Sequence, residues 1–285
     1  MDVGVVGAGR VGTALAVLLR RAGHAVVAAS GRGRTRERVE RFLPGVPLVP
    51  PTEAARAAEV VLLAVPDDAI AEACAEVAAA VAPGRAVAHL SGSVGLDALA
   101  LAGAAGAATL SIHPLQTFPG VEEALERLPG SAVAVTADTD EGRALGERLA
   151  RDAGGRPFPV EDRWKPLYHA AAVFASNYLV VVLGIAEEAF AAAGLEDPRG
   201  AFGPLARASV DNALALGAEA ALTGPAARGD RGTIRRNLEA LSEHVPGAVP
   251  AYVVLARGAA GLARDAGRLD EEGRRRIEEE LARWR

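Results

Sequence analysis

From Asp2 to Val160 the chain keeps switching between short apolar runs and helical ones, and after Glu161 the short runs stop. The runs VGVVGAG, AVVAAS, EVVLLAVP, RAVAHLSGS, AATLSIHP, SAVAVTAD and GRPFPV predict strands. Between them RVGTALAVLLRRAGH, DDAIAEACAEVAAAVAPG and DEGRALGERLARDAGG carry helical spacing. Neighbouring parallel strands need a crossover, usually a helix, so this alternation predicts an α/β, doubly wound, mostly parallel sheet. Beyond it, helical patterns predict an all-helical region with helices at 161–194, 198–221, 231–244, 247–266 and 270–284. At 285 residues the chain is long for one compact domain and comfortable for two. The expected division is 1–160 and 161–285.

The first strand runs straight into Gly7-Ala8-Gly9-Arg10-Val11-Gly12, a G-x-G-x-x-G pattern that also opens a helix. Each glycine has a physical reason there. The first permits the tight turn, the second lets backbone approach a pyrophosphate, and the third lets helix and strand pack closely. The helix N-terminus then meets the phosphates with free N–H groups and the positive end of its dipole. Gly7, Ala8, Gly9, Arg10, Val11 and Gly12 are therefore the expected phosphate-binding residues of a Rossmann domain. NAD binders usually end the second strand in an acid that holds the ribose 2′-hydroxyl. This strand ends in Ala29-Ser30-Gly31-Arg32-Gly33-Arg34, with no acid before Glu37. A hydroxyl beside guanidinium groups suits a 2′-phosphate, so Ser30 and Arg32 point to NADP. Val65 and Pro66 at the end of the third strand are expected to line the same cleft; Asp67 and Asp68 read as caps of the next helix.

Two further strands end in polar residues, His89-Leu90-Ser91-Gly92-Ser93 and His113-Pro114-Leu115-Gln116. Ligands of open α/β sheets bind outside the carboxyl ends of strands. Ser91, His113 and Gln116 are thus substrate-binding candidates, with turn stabilisation the alternative for each; His89 reads as a structural histidine within its strand. Arg228 and Asp230, in a polar break between helices, either orient a substrate or pair with each other. The five histidines and single cysteine show no metal-ligand spacing. Cys74 reads as a small core residue and excludes a disulfide framework. A net charge of −5 argues against nucleic acid and anionic membrane as partners. The opening residues read as a strand and turn, not as a signal peptide, and the expected location is cytoplasmic.

The stretch KPLYHAAAVFASNYLVVV (Lys165–Val182) is apolar enough to read as a buried helix, with a membrane span the minor alternative. Yet it carries Lys165, His169, Ser176 and Asn177, and polar groups are costly to bury without partners. At about 100° per residue, Lys165, His169 and Ser176 fall on one face, and Asn177 borders it.

Gly7–Gly12, Val65-Pro66-Asp67, HPLQTF, YHAAAVFASNYL and GPAARGD together resemble the Rossmann-like proteins with a C-terminal domain of unknown function 2520. Their plan is similar to that of the 6-phosphogluconate dehydrogenase-like superfamily, which includes ketopantoate reductases, pyrroline-carboxylate reductases and F420-dependent NADP reductases. The resemblance implies an NADP-linked oxidoreductase acting on a small substrate and a homodimer formed through the helical domain. Ketopantoate reductases and hydroxyacid relatives use a lysine at the start of the first long helix, with asparagines one or two turns on. Lys165 takes that position here, while His169 and Ser176-Asn177 replace the asparagines. The expected reaction is hydride transfer from NADPH to a carbonyl or imine carbon. Lys165 or His169 gives the proton, Ser176 and Asn177 hold the substrate, and His113 or Gln116 closes the other side. An NADP-binding sensor or scaffold without turnover, or an F420-linked NADP reductase, is the alternative.

Overall fold

The computed structural model describes residues 1–284. The chain divides into two compact units, Met1–Ser176 and a second that begins at Asn177.

In the first unit β1 (Asp2–Val6) leads through the glycines into α1 (Arg10–Arg21) and on to β2 (Ala25–Ser30). Helices α2 (Thr35–Phe42) and α3 (Pro51–Ala57) bring the chain back to β3 (Val60–Leu63). Then α4 (Ile70–Ala78) precedes β4 (Ala86–His89), and α5 (Ala100–Ala104) precedes β5 (Ala108–Pro114). Finally α6 (Val121–Arg127) precedes β6 (Ala132–Ala137), and α7 (Asp140–Asp152) precedes β7 (Arg156–Pro159). The strands form one sheet in the order β2-β1-β3-β4-β5-β6-β7. All neighbours are parallel except β5 and β6, which run antiparallel with His113 opposite Ala134. The chain leaves β1 on one side for β2 and returns on the other as β3. A crevice therefore opens at the carboxyl ends of β1 and β3, the switch point where such sheets bind ligands.

Alternation along the strands explains why the sheet is apolar on both faces. Val3, Val5, Leu62, Ala88 and Ile112 pack with Leu15 and Leu19 of α1 and Leu149 of α7. Val6, Val61, Leu63 and Val87 turn to the opposite face, against Ile70, Cys74 and Val77 of α4. A sheet covered on both sides by helices needs this nearly continuous apolar pattern. Cys74 is a core residue, as expected.

Strands end at Pro159, where the sequence pattern changes, but the first compact unit continues to Ser176. The reason is that α8 (Lys165–Val173) packs its polar residues back onto the ends of β4 and β5, as described below. The helical run then passes through a π-turn at Phe174–Tyr178. A π-turn advances the chain by a different angle from an α-turn. The shift is small at Ser176: Tyr168, His169, Ala172, Val173 and Ser176 are half-buried and continue the face of buried Lys165, as expected, while Asn177 is exposed.

In the second unit α9 (Leu179–Ala192), α10 (Pro198–Leu216), α11 (Ala218–Ala221), α12 (Arg231–His244), α13 (Val249–Asp265) and α14 (Glu271–Leu281) follow in turn. Ile234, Leu238, Val253, Ala260, Ile277 and Leu281 form its core, so the charged C-terminal helix buries its two apolar residues at home. The expectation of a buried helix fails for Lys165–Val182. The run Asp162–Ala192 is long and apolar enough to cross a membrane, yet none of its most apolar stretch is buried. Leu167, Phe174, Val180 and Val181 are exposed.

Candidate active site at the carboxyl edge of the sheet

The glycine turn is built as its sequence requires. Gly7 has a φ of +87°, and a Cβ there would lie 2.7 Å from the carbonyl oxygen of Ala64. A Cβ on Gly12 would lie 2.6 Å from that of Ala64, so α1 packs against the β3 end only without one. Gly9 differs: a Cβ there would meet only the Gly7 oxygen, at 3.8 Å. Nothing in the fold requires a glycine there, and the open space beside it leaves room for a pyrophosphate to approach the backbone. The first intrahelical bond of α1 is donated by Thr13 to Gly9, and its first turn carries no side-chain cap and no acid. The amides of Arg10, Val11 and Gly12 are thus available to an anion. These residues fit a dinucleotide.

Two contacts that the sequence did not announce hold the turn. The Arg38 guanidinium donates to the Ala8 carbonyl at 2.9 Å, and Thr13 Oγ1 donates to the same oxygen at 3.1 Å. The N–H groups of Gly7 and Ala8 both donate to the Ser30 carbonyl at 2.9 Å, which ties the end of β2 to the turn. Arg34 pairs with Glu37, whereas Arg32 has no ion-pair partner among the described residues. The end of β2 therefore offers a hydroxyl and a free guanidinium with no carboxylate between them.

Beside the turn lies a cavity of about 190 Å³, lined by Val11 and by Ala64 and Val65 after β3. Its polar wall comprises Asp67, Ser91, His113 and Gln116. Asp67 is not a helix cap, contrary to its reading from sequence. It starts a short 3₁₀ turn, Asp67–Ala69, and its carboxylate instead accepts from Ser91 Oγ at 2.8 Å and Ser93 Oγ at 2.7 Å. Gln116 uses its side-chain oxygen on the Thr117 N–H at 2.9 Å, a turn-stabilising contact beside the cavity.

Behind this wall a network fixes the loop Ser91–Leu96. Lys165 is only 2% exposed. Its Nζ donates to the Ser91 carbonyl at 2.9 Å and to Ser111 Oγ at 2.7 Å, while Ser111 Oγ donates to the Ser91 carbonyl at 3.0 Å. Asp162 accepts the Leu96 N–H at 3.0 Å. His89 Nδ1 accepts the Ser91 N–H at 3.2 Å, so its proton sits on Nε2, which is buried with the Gly95 backbone near it but no well-formed hydrogen bond among the described residues. The expectation of a fully satisfied His89 thus holds for one ring nitrogen only. Burial lowers the Lys165 pKa to about 8, against the opposing pull of Asp162 and Asp67. Burial, then the Lys165 charge, lowers His89 to about 3.

His113, at the end of β5, touches two residues of α8. Its Nδ1 lies 2.8 Å from the Tyr168 hydroxyl, and its ring meets that of His169 edge-on at 6.0 Å between centroids. Burial lowers the His113 pKa to about 4, with Lys165 and His169 adding to the shift, and burial pushes Tyr168 up to about 12. Tyr168 and Ser111 were missed as site residues. Both lay within the quoted motifs, but only the fold brings Ser111 of β5 under Lys165 and Tyr168 onto His113. Ser176 and Asn177 do not line the cavity, and Asn177 opens the second unit. Arg228 also lies in the second unit. There Asp230 caps α12 by accepting the Thr233 N–H at 3.0 Å, and makes no ion pair with Arg228 among the described residues.

No curated protein sequence matches the chain. Solved structures do. A Bacteroides fragilis protein named as an NADP oxidoreductase superposes with a TM-score of 0.78 at 22% identity, over 91% of this chain and 98% of its own. The imine reductase of Myxococcus stipitatus, solved with NADP+, gives 0.67 at 17% identity, over 100% and 99%. The reductive aminase of Aspergillus terreus, solved with NADPH and ethyl levulinate, gives 0.66 at 18% identity, over 100% and 99%. At such identities the likeness is one of fold. The family of Rossmann-like domains matches residues 1–114, and the domain of unknown function 2520 matches residues 131–259. The chain therefore joins a Rossmann-like domain to the domain of unknown function 2520.

Proposed function

We propose that the chain is an NADP-dependent oxidoreductase that reduces a carbonyl or imine carbon of a small substrate. The observation that carries this reading is the cavity itself. One wall is Val11 and Val65 of the glycine-turn crevice, and the other holds His113, Ser91 and Asp67, so a dinucleotide and a polar reactant would meet there. Gly7–Gly12 would hold the pyrophosphate, Ser30 and Arg32 the 2′-phosphate, and Val65-Pro66 the side of the cleft. The bound cofactor supplies the hydride; the chain's part is to orient the substrate, exclude water and move a proton. Ser91, His113 and Gln116 face the substrate. Lys165 keeps the wall in place through Ser91 and Ser111, and His169 stands behind it. The roles given to Ser176, Asn177 and Arg228 rest on resemblance and position in the sequence.

The exposed apolar side chains of α9, α10 and α13 favour a homodimer formed through the second unit. An apolar groove of about 680 Å³ on that unit, lined by Ile185, Phe190, Leu241, Tyr252 and Leu255, would receive a helix of a second copy.

Two measurements test the reading. NADPH is expected to bind at least tenfold more tightly than NADH, with Arg32→Ala erasing the difference; equal affinities would remove the 2′-phosphate assignment. Loss of reduced-nicotinamide absorbance is then followed with 2-keto acids, cyclic imines and oxidised F420. Binding of NADPH without consumption by any of them points to a sensor and sinks the enzymatic reading, and consumption by F420 alone replaces the substrate class.

A further inference from the structure

We propose that Tyr168 and His113 form a proton relay into the cavity, with His113 delivering the proton to the substrate and Tyr168 restoring it. This rests on the oxidoreductase reading for its reaction, and on geometry of the first unit alone for its parts.

His113 borders the cavity beside the glycine turn, and its Nδ1 faces away toward the Tyr168 hydroxyl at 2.8 Å. Tyr168 in turn lines a second groove of about 520 Å³, with Arg143, Glu161, Trp164 and Leu167. The pair thus stands between two openings, one at the cofactor cleft and one on the opposite side of the imidazole. The direction of the hydrogen bond follows from burial and charge. The ring is buried, Lys165 lies close by and His169 is in ring contact, so a second proton on His113 is disfavoured; Asp67 opposes them more weakly. A neutral imidazole beside a phenol accepts at Nδ1, because the phenol keeps its proton. The ring proton is then on Nε2.

Gly92 shows where Nε2 is aimed. A Cβ on Gly92 would lie 2.8 Å from His113 Cε1, 2.9 Å from His113 Nε2 and 2.8 Å from His169 Nδ1. Two imidazole nitrogens therefore converge on one point above the loop, and the absence of a side chain at position 92 admits both. His169 Nδ1 is buried and has no hydrogen-bond partner among the described residues.

A neutral imidazole is too weak an acid to act alone, since loss of its only ring proton leaves an imidazolate. The phenol removes that obstacle. A bound reduced nicotinamide would supply the hydride; His113 Nε2 would give its proton to the substrate oxygen or nitrogen as that charge develops. His113 Nδ1 takes the phenolic proton in the same motion, and the phenolate takes one from water in the outer groove. One hydride and one solvent proton are consumed per substrate, and the imidazole ends as the other neutral tautomer. It resets when Nε2 takes a proton from water that enters the cavity after product leaves and the Nδ1 proton returns through the Tyr168 oxygen to the outer groove, with no net change in protons.

Tyr168→Phe keeps the ring and removes the relay. With NADPH and the best 2-keto acid or cyclic imine of the panel above, kcat is expected to fall by about 10²–10³-fold with NADPH affinity unchanged within about twofold. The wild-type rate should depend on solvent deuterium content along a curve, as two protons in flight require, and the variant should lose that curvature. A second readout needs no turnover: ¹⁵N spectra of the cofactor-free protein should place the His113 proton on Nε2 in the wild type and on both nitrogens in Tyr168→Phe. Gly92→Ala, which pushes against both imidazoles, should reproduce the kcat loss if the phenylalanine variant does not fold. A wild-type kcat in Tyr168→Phe, or a His113 proton on Nδ1 in the wild type, overturns the relay. Absence of turnover with every panel member overturns the oxidoreductase reading instead, and the ring-nitrogen spectra then judge the relay by themselves.

Discussion

The first unit covers both faces of its sheet and exposes apolar side chains chiefly at Leu101 and along Trp164–Phe174; the second has a core of its own but leaves apolar side chains exposed along α9, α10 and α13. In the first, both sheet faces are covered by the chain's own helices, and the buried Lys165, Ser91, Ser111 and His89 are joined by hydrogen bonds. In the second, Leu214 is 82% exposed and Val180 67%, while Glu280 is buried against the Arg235 guanidinium through two bonds. Apolar surface left in water is costly, at roughly 25 cal/mol per Å². The contrast teaches that the two units are finished differently. One carries a small polar cavity at the edge of a covered sheet; the other carries an apolar groove between exposed helices, the surface on which the proposed dimer rests.

The sharpest way to break that contrast is to charge the exposed face of the second unit. Val180→Asp with Leu214→Glu should weaken self-association on the order of a hundredfold, or roughly 2.7 kcal/mol. Sedimentation should show two chains for the wild type and one for the variant, with the melting of the first unit unaltered. A wild type that sediments as a single chain would sink the dimer. Wild type that partitions to lipid vesicles while staying single would assign the exposed helix to a membrane.

The opening in the first unit is tested by two glycines of one motif. Gly9→Val should raise the NADPH Kd by at least tenfold while leaving the melting temperature within a few degrees, because nothing of the fold occupies that space. Gly7→Val should lower the melting temperature, because its Cβ would collide with the Ala64 carbonyl and its φ is positive. Equal effects of the two on folding would mean that Gly9 serves the turn and not a ligand.

Much of this was legible in the sequence, for reasons particular to each element. The glycine motif, the seven strands, three helices of the first unit and the helices of the second carry local signals, a 2.0 or 3.6 period with Gly or Pro stops, whereas the short α2, α3, α5 and α6 and the caps made by Thr139 and Asp230 show only in the structure. The candidate cavity was half legible. Val65, Ser91 and His113 sit at strand ends, and a parallel sheet brings strand ends together. Asp67 was misread because an acid before a helix is usually a cap, and nothing local says that Ser91 and Ser93 will claim it. Lys165 was read as facing a substrate because helix periodicity gives a face and not what covers it; Ser91 and Ser111 are 74 and 54 residues away in the chain. Lys165–Val182 reads as buried because its composition is apolar, and composition alone does not say whether a face is covered.

The smallest expected difference between the units is their order of failure in acid. In the first unit His89 and His113 have folded values near 3 and 4, below their ordinary 6.5. Between those limits the unfolded chain holds protons that the folded one does not, so stability drops as pH falls from about 6.5. Each histidine contributes on the order of 1.4 kcal/mol per pH unit at most. In the second unit the groups held low are carboxylates. Asp230 is held down by Thr233, Glu271 by Arg274 and Glu280 by Arg235, all below ordinary values of 3.8 to 4.5. Their contribution is intact above those values and is lost only as pH falls below them. Acidification to about pH 5 should therefore loosen the first unit alone. The two tryptophans separate the signals: Trp284→Phe leaves Trp164 to report the first unit, and Trp164→Phe leaves Trp284 to report the second. Emission of the first variant should shift at a higher pH than that of the second. His89→Asn, which keeps an acceptor for the Ser91 N–H but cannot titrate, should move that transition toward the second unit's. Coincident transitions, or an His89→Asn variant with the wild-type midpoint, would show that the buried histidines do not set the acid limit of the first unit.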